Sequence, residues 1–187
     1  MRIHPFHSLL LVLMLTACGS SPPARLYTLA PEDVVVSAAA ATPTVVVGPV
    51  SLPESIDRLQ ITRRGEGGVT EAPDGHRWAG SMKSEVGRRL ALAVARERGL
   101  ARVVAAPQNS VPSPDYSVPV DVLRFDAEGF SRVTLDAVWS VRRDGREIAS
   151  GRFTRSEAVA AADYPALIAA HGRLLDALAA DLARAIP

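Results

Sequence analysis

The chain is short of cysteine, of aromatic residues and of net charge, and each shortage removes a class of function. Its 187 residues include one cysteine, Cys18, so no internal disulfide can form and the fold must stand on packing. The formal net charge is +1, with 21 basic and 20 acidic residues. No strong field therefore points to nucleic acid. Past His4 and His7 the only histidines are His76 and His171, and they stand in no paired-ligand spacing. No Gly-x-Ser-x-Gly elbow, phosphate-binding loop or dinucleotide fingerprint occurs. No cofactor is expected, and none of this composition points to an enzyme. Asp121 and Asp126 are the one pair of carboxylates resembling an acid/base couple. Residues flanking a strand end more often serve as turn and surface groups. Arg63-Arg64 reads the same way, as a solvated strand end.

A long apolar run is missing too. Ser8 to Leu15 is almost entirely Leu, Val and Met, about eight residues against the roughly 20 that span a bilayer. It follows a short n-region with Arg2 and precedes Leu15-Thr16-Ala17-Cys18. Leu at −3, small residues at −2 and −1 and Cys at +1 make a lipobox. Residues 1–17 are then a cleaved lipoprotein signal, with Leu15, Thr16 and Ala17 read by the peptidase and Cys18 the acylated N-terminus. Buried acyl chains contribute about 0.8 kcal/mol per CH₂, and two or more hold a protein stably. Gly19, in place of the Asp that retains lipoproteins at the inner membrane, points to the periplasmic face of the outer membrane. Residues 18–25 form the lipidated cysteine and a Pro-containing tether, and residues 26–187 a single globular domain.

Within that body two segments have helical period. In 80–98, Met82, Val86, Leu90, Ala93 and Val94 share a face, with Ser81 as N-cap and Gly99 as stop. The last helix opens at Asp163-Tyr164-Pro165, and Leu167, Ile168, His171, Leu174, Leu175, Leu178, Leu182 and Ile186 line its stripe. His171 reads as a packing residue. Val45-Val46-Val47 is a buried strand closed by Gly48-Pro49. Tyr116 to Val122 and Val133 to Val141 alternate with period two, and Asp144-Gly145 signals a hairpin returning through Ile148 to Thr154. Pro119 places its part of the strand at an edge or a bulge. The expected fold is α+β, one antiparallel sheet with two amphipathic helices on one face. Trp139 reads as core, while Trp78, just before a helix, packs on the core edge or anchors a partner.

Val45-Val46-Val47-Gly48-Pro49-Val50-Ser51-Leu52-Pro53, followed by Ile56-Asp57-Arg58-Leu59-Gln60-Ile61, resembles the PqiC/YmbA-type lipoproteins. These are auxiliary lipoprotein components of ABC-type and MCE-type lipid transport systems. The resemblance continues through Trp78-Ala79, Val120 to Asp126, Ala137-Val138-Trp139 and Ala169-Ala170-His171. It departs at Leu59 and at Gly80-Ser81. The resemblance implies a non-enzymatic lipoprotein whose partners are an MCE-domain protein and an inner-membrane permease or ABC complex, with a homo-oligomeric ring as a possible assembly. The alternative is a stand-alone lipid-binding or structural envelope lipoprotein. Exposure and resemblance together nominate Leu52, Pro53, Ile56 and Arg58 for partner binding, and Trp78 joins them because tryptophan is enriched at binding hot spots.

Cys18→Ser is expected to leave the chain unprocessed or in the soluble fraction. Fractionation and immunodetection check this, and wild-type recovery in the membrane would refute the lipobox.

Overall fold

The computed structural model describes residues 23–29 and 42–187, so Leu15 to Cys18 lie outside the described residues. The strands are β1 (Arg25–Tyr27), β2 (Val45–Ser51), β3 (Arg63–Arg64), β4 (Thr70–Glu71), β5 (His76–Trp78), β6 (Val103–Ala105), β7 (Tyr116–Glu128), β8 (Arg132–Arg143) and β9 (Arg146–Ala158). The helices are α1 (Met82–Arg98) and α2 (Tyr164–Ala185). Ser81 caps α1 by accepting from the Ser84 amide, and Asp163 caps α2 by accepting from the Ala166 amide.

Two helices on an α+β sheet are as expected, but the single antiparallel sheet is not what forms. β7, β8 and β9 make the antiparallel meander that the alternation and the Asp144-Gly145 hairpin imply. β2, however, lies parallel to both β6 and β7, and β3 runs parallel to the far end of β7. That sheet is therefore mixed. A second, two-stranded sheet pairs β1 with β5, also in parallel. The reason is the connection: α1 lies between β5 and β6, and a helical crossover returns the chain in the direction it left. The run Val45-Val46-Val47 is buried without alternation, as a strand covered on both faces requires.

β7 is the axis of the large sheet. It shares one edge with β8 and gives the other to β2 at its start and β3 at its end. Pro119 sits in this central strand, and the expected bulge accommodates it. The β2 register shifts between Val47 and Val50, where Gly48-Pro49 interrupts the ladder opposite Pro119. Gly48 has φ +116°, and a Cβ there would stand 3.0 Å from that of Ala106. On β9, Gly151 leaves room for the Trp139 ring, which would lie 2.6 Å from an added Cβ. Trp139 thereby covers its cross-strand neighbour and packs against the core.

The core is one contiguous cluster running from Leu29 to Ile186. Val86, Leu90 and Val94 of α1 meet Leu167, Leu174, Leu178 and Leu182 of α2 over Val118, Val120, Leu135 and Ala137. One charged residue is fully enclosed among them, Glu85 of α1. Its Oε2 accepts from the Leu29 amide at 2.7 Å and from the Thr28 hydroxyl at 2.8 Å, and Arg88 pairs with its Oε1. One turn on, Arg89 donates to the Leu29 carbonyl at 2.6 Å and forks onto Asp176 of α2 at 2.8 and 2.6 Å. Both backbone groups of Leu29 are thus held by one helix.

Glu85→Ala is expected to orphan the buried Leu29 amide and to lower stability by about 1–3 kcal/mol for that group alone. Urea unfolding checks it through the midpoint at constant slope. An unmoved midpoint would show that the clamp adds no stability.

Candidate functional site

The segment 51–58 leaves β2 and turns over Pro53, whose carbonyl accepts from the Ile56 amide at 3.0 Å and the Asp57 amide at 3.1 Å. The two bonds close a single turn begun at Pro53. Leu52 and Ile56 pack against the core, whereas Arg58 is exposed. Asp57 ties the turn to the start of α1, taking the Lys83 amide at 3.4 Å and its ammonium at 3.5 Å. Two hollows flank it. One of about 80 Å³ is lined by Ser55, Ile56, Thr62, Arg63, Arg64, Thr70 and Asp126. The other, about 170 Å³ and mostly apolar, is formed by Pro49, Val50, Lys83, Ser84, Ala106 and Pro107.

Leu52, Pro53, Ile56 and Arg58 therefore belong to one connector, and Trp78 does not share its surface. Trp78 is 3% exposed and packs edge-on to His171, with ring centroids 5.7 Å apart. It offers no face to a partner, and its core-edge reading is the one that holds. Phe125 closes on His171 from another side at 4.8 Å. His171 Nδ1 stands 2.8 Å from the Leu167 carbonyl. Burial outweighs that hydrogen bond and the nearby Asp126 charge, and pushes the imidazole down to about 4.

A second cluster gathers at the end of β7 where β3 pairs. The His76 and Tyr164 rings stack at 3.5 Å, and the Tyr27 hydroxyl meets His76 Nδ1 at 3.0 Å. Phe130 stands edge-on to Tyr164 at 5.3 Å, and the Arg63 guanidinium lies 4.2 Å over the Phe130 ring. Partial burial, then the positive charges of Arg25 and Arg63, lower the pKa of His76 below its ordinary value. Sequence reasoning missed this cluster because its members come from five separate segments.

Asp121 and Asp126 are both engaged. Asp121 accepts from the Ser51 hydroxyl at 2.5 Å, and Asp126 is held by Arg64 and Arg124, each at 2.7 Å. Among the described residues no three His, Cys, Asp or Glu side chains are grouped to hold a metal, and no helix is long and apolar enough to cross a membrane.

The family of ABC-type transport auxiliary lipoprotein components matches residues 27–183. The chain belongs to that family. It is a PqiC/YmbA-type lipoprotein, as the run from Val45 to Ile61 suggested. No curated protein matches it. Among solved structures, an uncharacterized protein shares its fold with TM-score 0.69 at 15% identity, covering 89% of this chain and 100% of that one. Protein XCC0632 from Xanthomonas campestris aligns with TM-score 0.63 at 23% identity, over 84% of this chain and 92% of its own. A PelC dodecamer from Paraburkholderia phytofirmans aligns with TM-score 0.46 at 15% identity, over 76% and 90%. That likeness is too loose to bear on assembly.

The enclosed imidazole gives this lipoprotein a predictable acid weakness. With its folded pKa near 4 and 6.5 as the ordinary value, the folded state favours neutral His171. Its stability contribution is complete above pH 6.5 and falls as pH drops from 6.5 toward 4, by about 3 kcal/mol in all. His171→Leu is expected to remove that part of the slope. Urea midpoints of both proteins at pH 7 and 4.5 measure it, and parallel pH curves would refute it.

Proposed function

We propose that this lipoprotein is a non-enzymatic docking subunit of an intermembrane lipid transport system. Acylated Cys18 holds it at the periplasmic face of the outer membrane, where it receives an MCE-domain protein reaching from an inner-membrane permease or ABC complex. Membership of the transport-auxiliary family carries the reading. The filled interior supports it: the core closes without interruption from Leu29 to Ile186. A wider, open hollow of about 800 Å³ is lined by Pro23, Ala24, Arg25, Asp74, Gly75, His76 and Arg77. The connector Ser51 to Arg58 is the proposed contact. Its turn is fixed at both ends, by the Pro53 carbonyl and by the Asp57–Lys83 pair, and it needs little ordering on binding.

Affinity purification from detergent-solubilised membranes is expected to bring down an MCE-domain protein. Arg58→Glu, at an exposed position, is expected to lower its recovery several-fold with unchanged melting temperature. A clean preparation lacking such a partner, with lipid found by mass spectrometry instead, would favour a carrier.

A further inference from the structure

The part of the body nearest the anchor differs from the rest of the surface. Segments 23–29, 58–64 and 73–78 come together around the β1–β5 sheet. They hold five arginines (Arg25, Arg58, Arg63, Arg64 and Arg77) and one carboxylate, Asp74, in a chain whose net charge is +1. Arg63, Arg64 and Arg77 have acidic partners. Among the described residues no carboxylate lies within ion-pair distance of Arg25 or Arg58. In the β1–β5 register Leu26 lies beside Arg77. At 66% exposure Leu26 is the most exposed large apolar side chain among the described residues. A bare leucine beside an arginine on one sheet face suits a layer with phosphates outside and acyl chains beneath.

Chain length supplies the second argument. Five peptide units separate Cys18 from Pro23, which at full extension span at most about 18 Å. Wherever acylated Cys18 enters a leaflet, Pro23 stays within about 18 Å of it, and Arg25 and Leu26 follow directly as β1.

We propose that the outer face of the β1–β5 sheet rests on the anionic phospholipid surface holding the anchor, with Leu26 at the acyl boundary and its face neighbour Arg77 on headgroup phosphates. This rests on the acylation of Cys18 proposed above. It sets the body upright. The β8–β9 hairpin lies at the opposite end of β7, since Ser117 pairs with Arg142 while Glu128 pairs with Arg64 and Arg132. Thirteen residues of strand put the two ends about 40 Å apart.

Cys18 is the only cysteine, and acylation consumes its thiol, so an introduced cysteine takes a spin label at one place. Leu26→Cys and, as a distal control, Ile148→Cys are purified in acylated form and reconstituted into vesicles of phosphatidylethanolamine and phosphatidylglycerol. Power saturation against oxygen and an aqueous nickel chelate reads depth. The label at 26 is expected to be shielded from nickel several-fold relative to the label at 148. Adding Arg77→Glu is expected to return it to aqueous accessibility. An aqueous label at 26, equal shielding at both sites, or shielding indifferent to the charge reversal overturns the proposal. Flotation of the same samples separates the causes. Protein that floats with the vesicles but carries an aqueous label at 26 sinks this face alone. Protein that does not float sinks the Cys18 anchor along with it.

Discussion

The structure depends on a clamp at Leu29. Glu85 takes the amide, Arg89 takes the carbonyl, and Asp176 fixes Arg89 from the second helix. Enclosing charges in a core costs several kcal/mol per ion unless each is paired and fully hydrogen-bonded. Here the Glu85 carboxylate has three donors and the Arg89 guanidinium three acceptor contacts, so the cost is offset in place. What the clamp secures is otherwise weak. β1 and β5 are three residues each, and a two-stranded ladder of that length does not persist in water alone. With Leu29 pinned in the core, β1 is delivered to β5, Tyr27 reaches His76, and His76 stacks on Tyr164.

The fold was legible wherever one residue type repeats at one period. The stripe of α2 and the alternation in β7 and β8 gave helix, hairpin and meander, and Pro119 announced a bulge that exists. The sheet's direction departs from the antiparallel expectation because hairpin signals are local and crossovers are not. Asp144-Gly145 declares an antiparallel pair in two residues. The parallel pairing of β2 with β6 is set by the helix between them, and its one sequence trace is the unalternating burial of Val45, Val46 and Val47. β4 and β5 are too short to show any period. Glu85 was invisible as a core residue, since on a helical wheel it is one more charge beside Lys83 and Arg88.

The site divides in the same way. The connector with Leu52, Pro53, Ile56 and Arg58 is legible as a contiguous motif, and its turn closes on the Pro53 carbonyl. Trp78 was grouped with it by residue type, but position along β5 decides otherwise: its neighbours in the ladder alternate inward and outward, and Trp78 points inward to His171. The cationic cluster around Arg25, His76 and Arg63 needs five segments to meet, and no spacing along the chain encodes that. What the sequence did show is the tether, because covalent distance needs no fold.

Tether and clamp together explain why a charge is buried at all. From Cys18 to the first strand of the large sheet, at Val45, is 27 residues, a reach of about 100 Å when extended. The clamp captures the chain much earlier. From Cys18 to Arg25, the start of β1, is seven residues, about 25 Å. With Cys18 acylated as proposed, cutting the reach about fourfold confines the body to a volume on the order of 60-fold smaller, which raises the effective concentration of its surface near the leaflet correspondingly. An apolar side chain at position 85 would fill the same space and bury more easily. It would leave the Leu29 amide unpaired, and the strand could then peel from the body under the pull of the anchor. A carboxylate binds backbone and resists that direction of motion, which on the proposed anchoring gives Glu85 a part in holding position as well as in core stability.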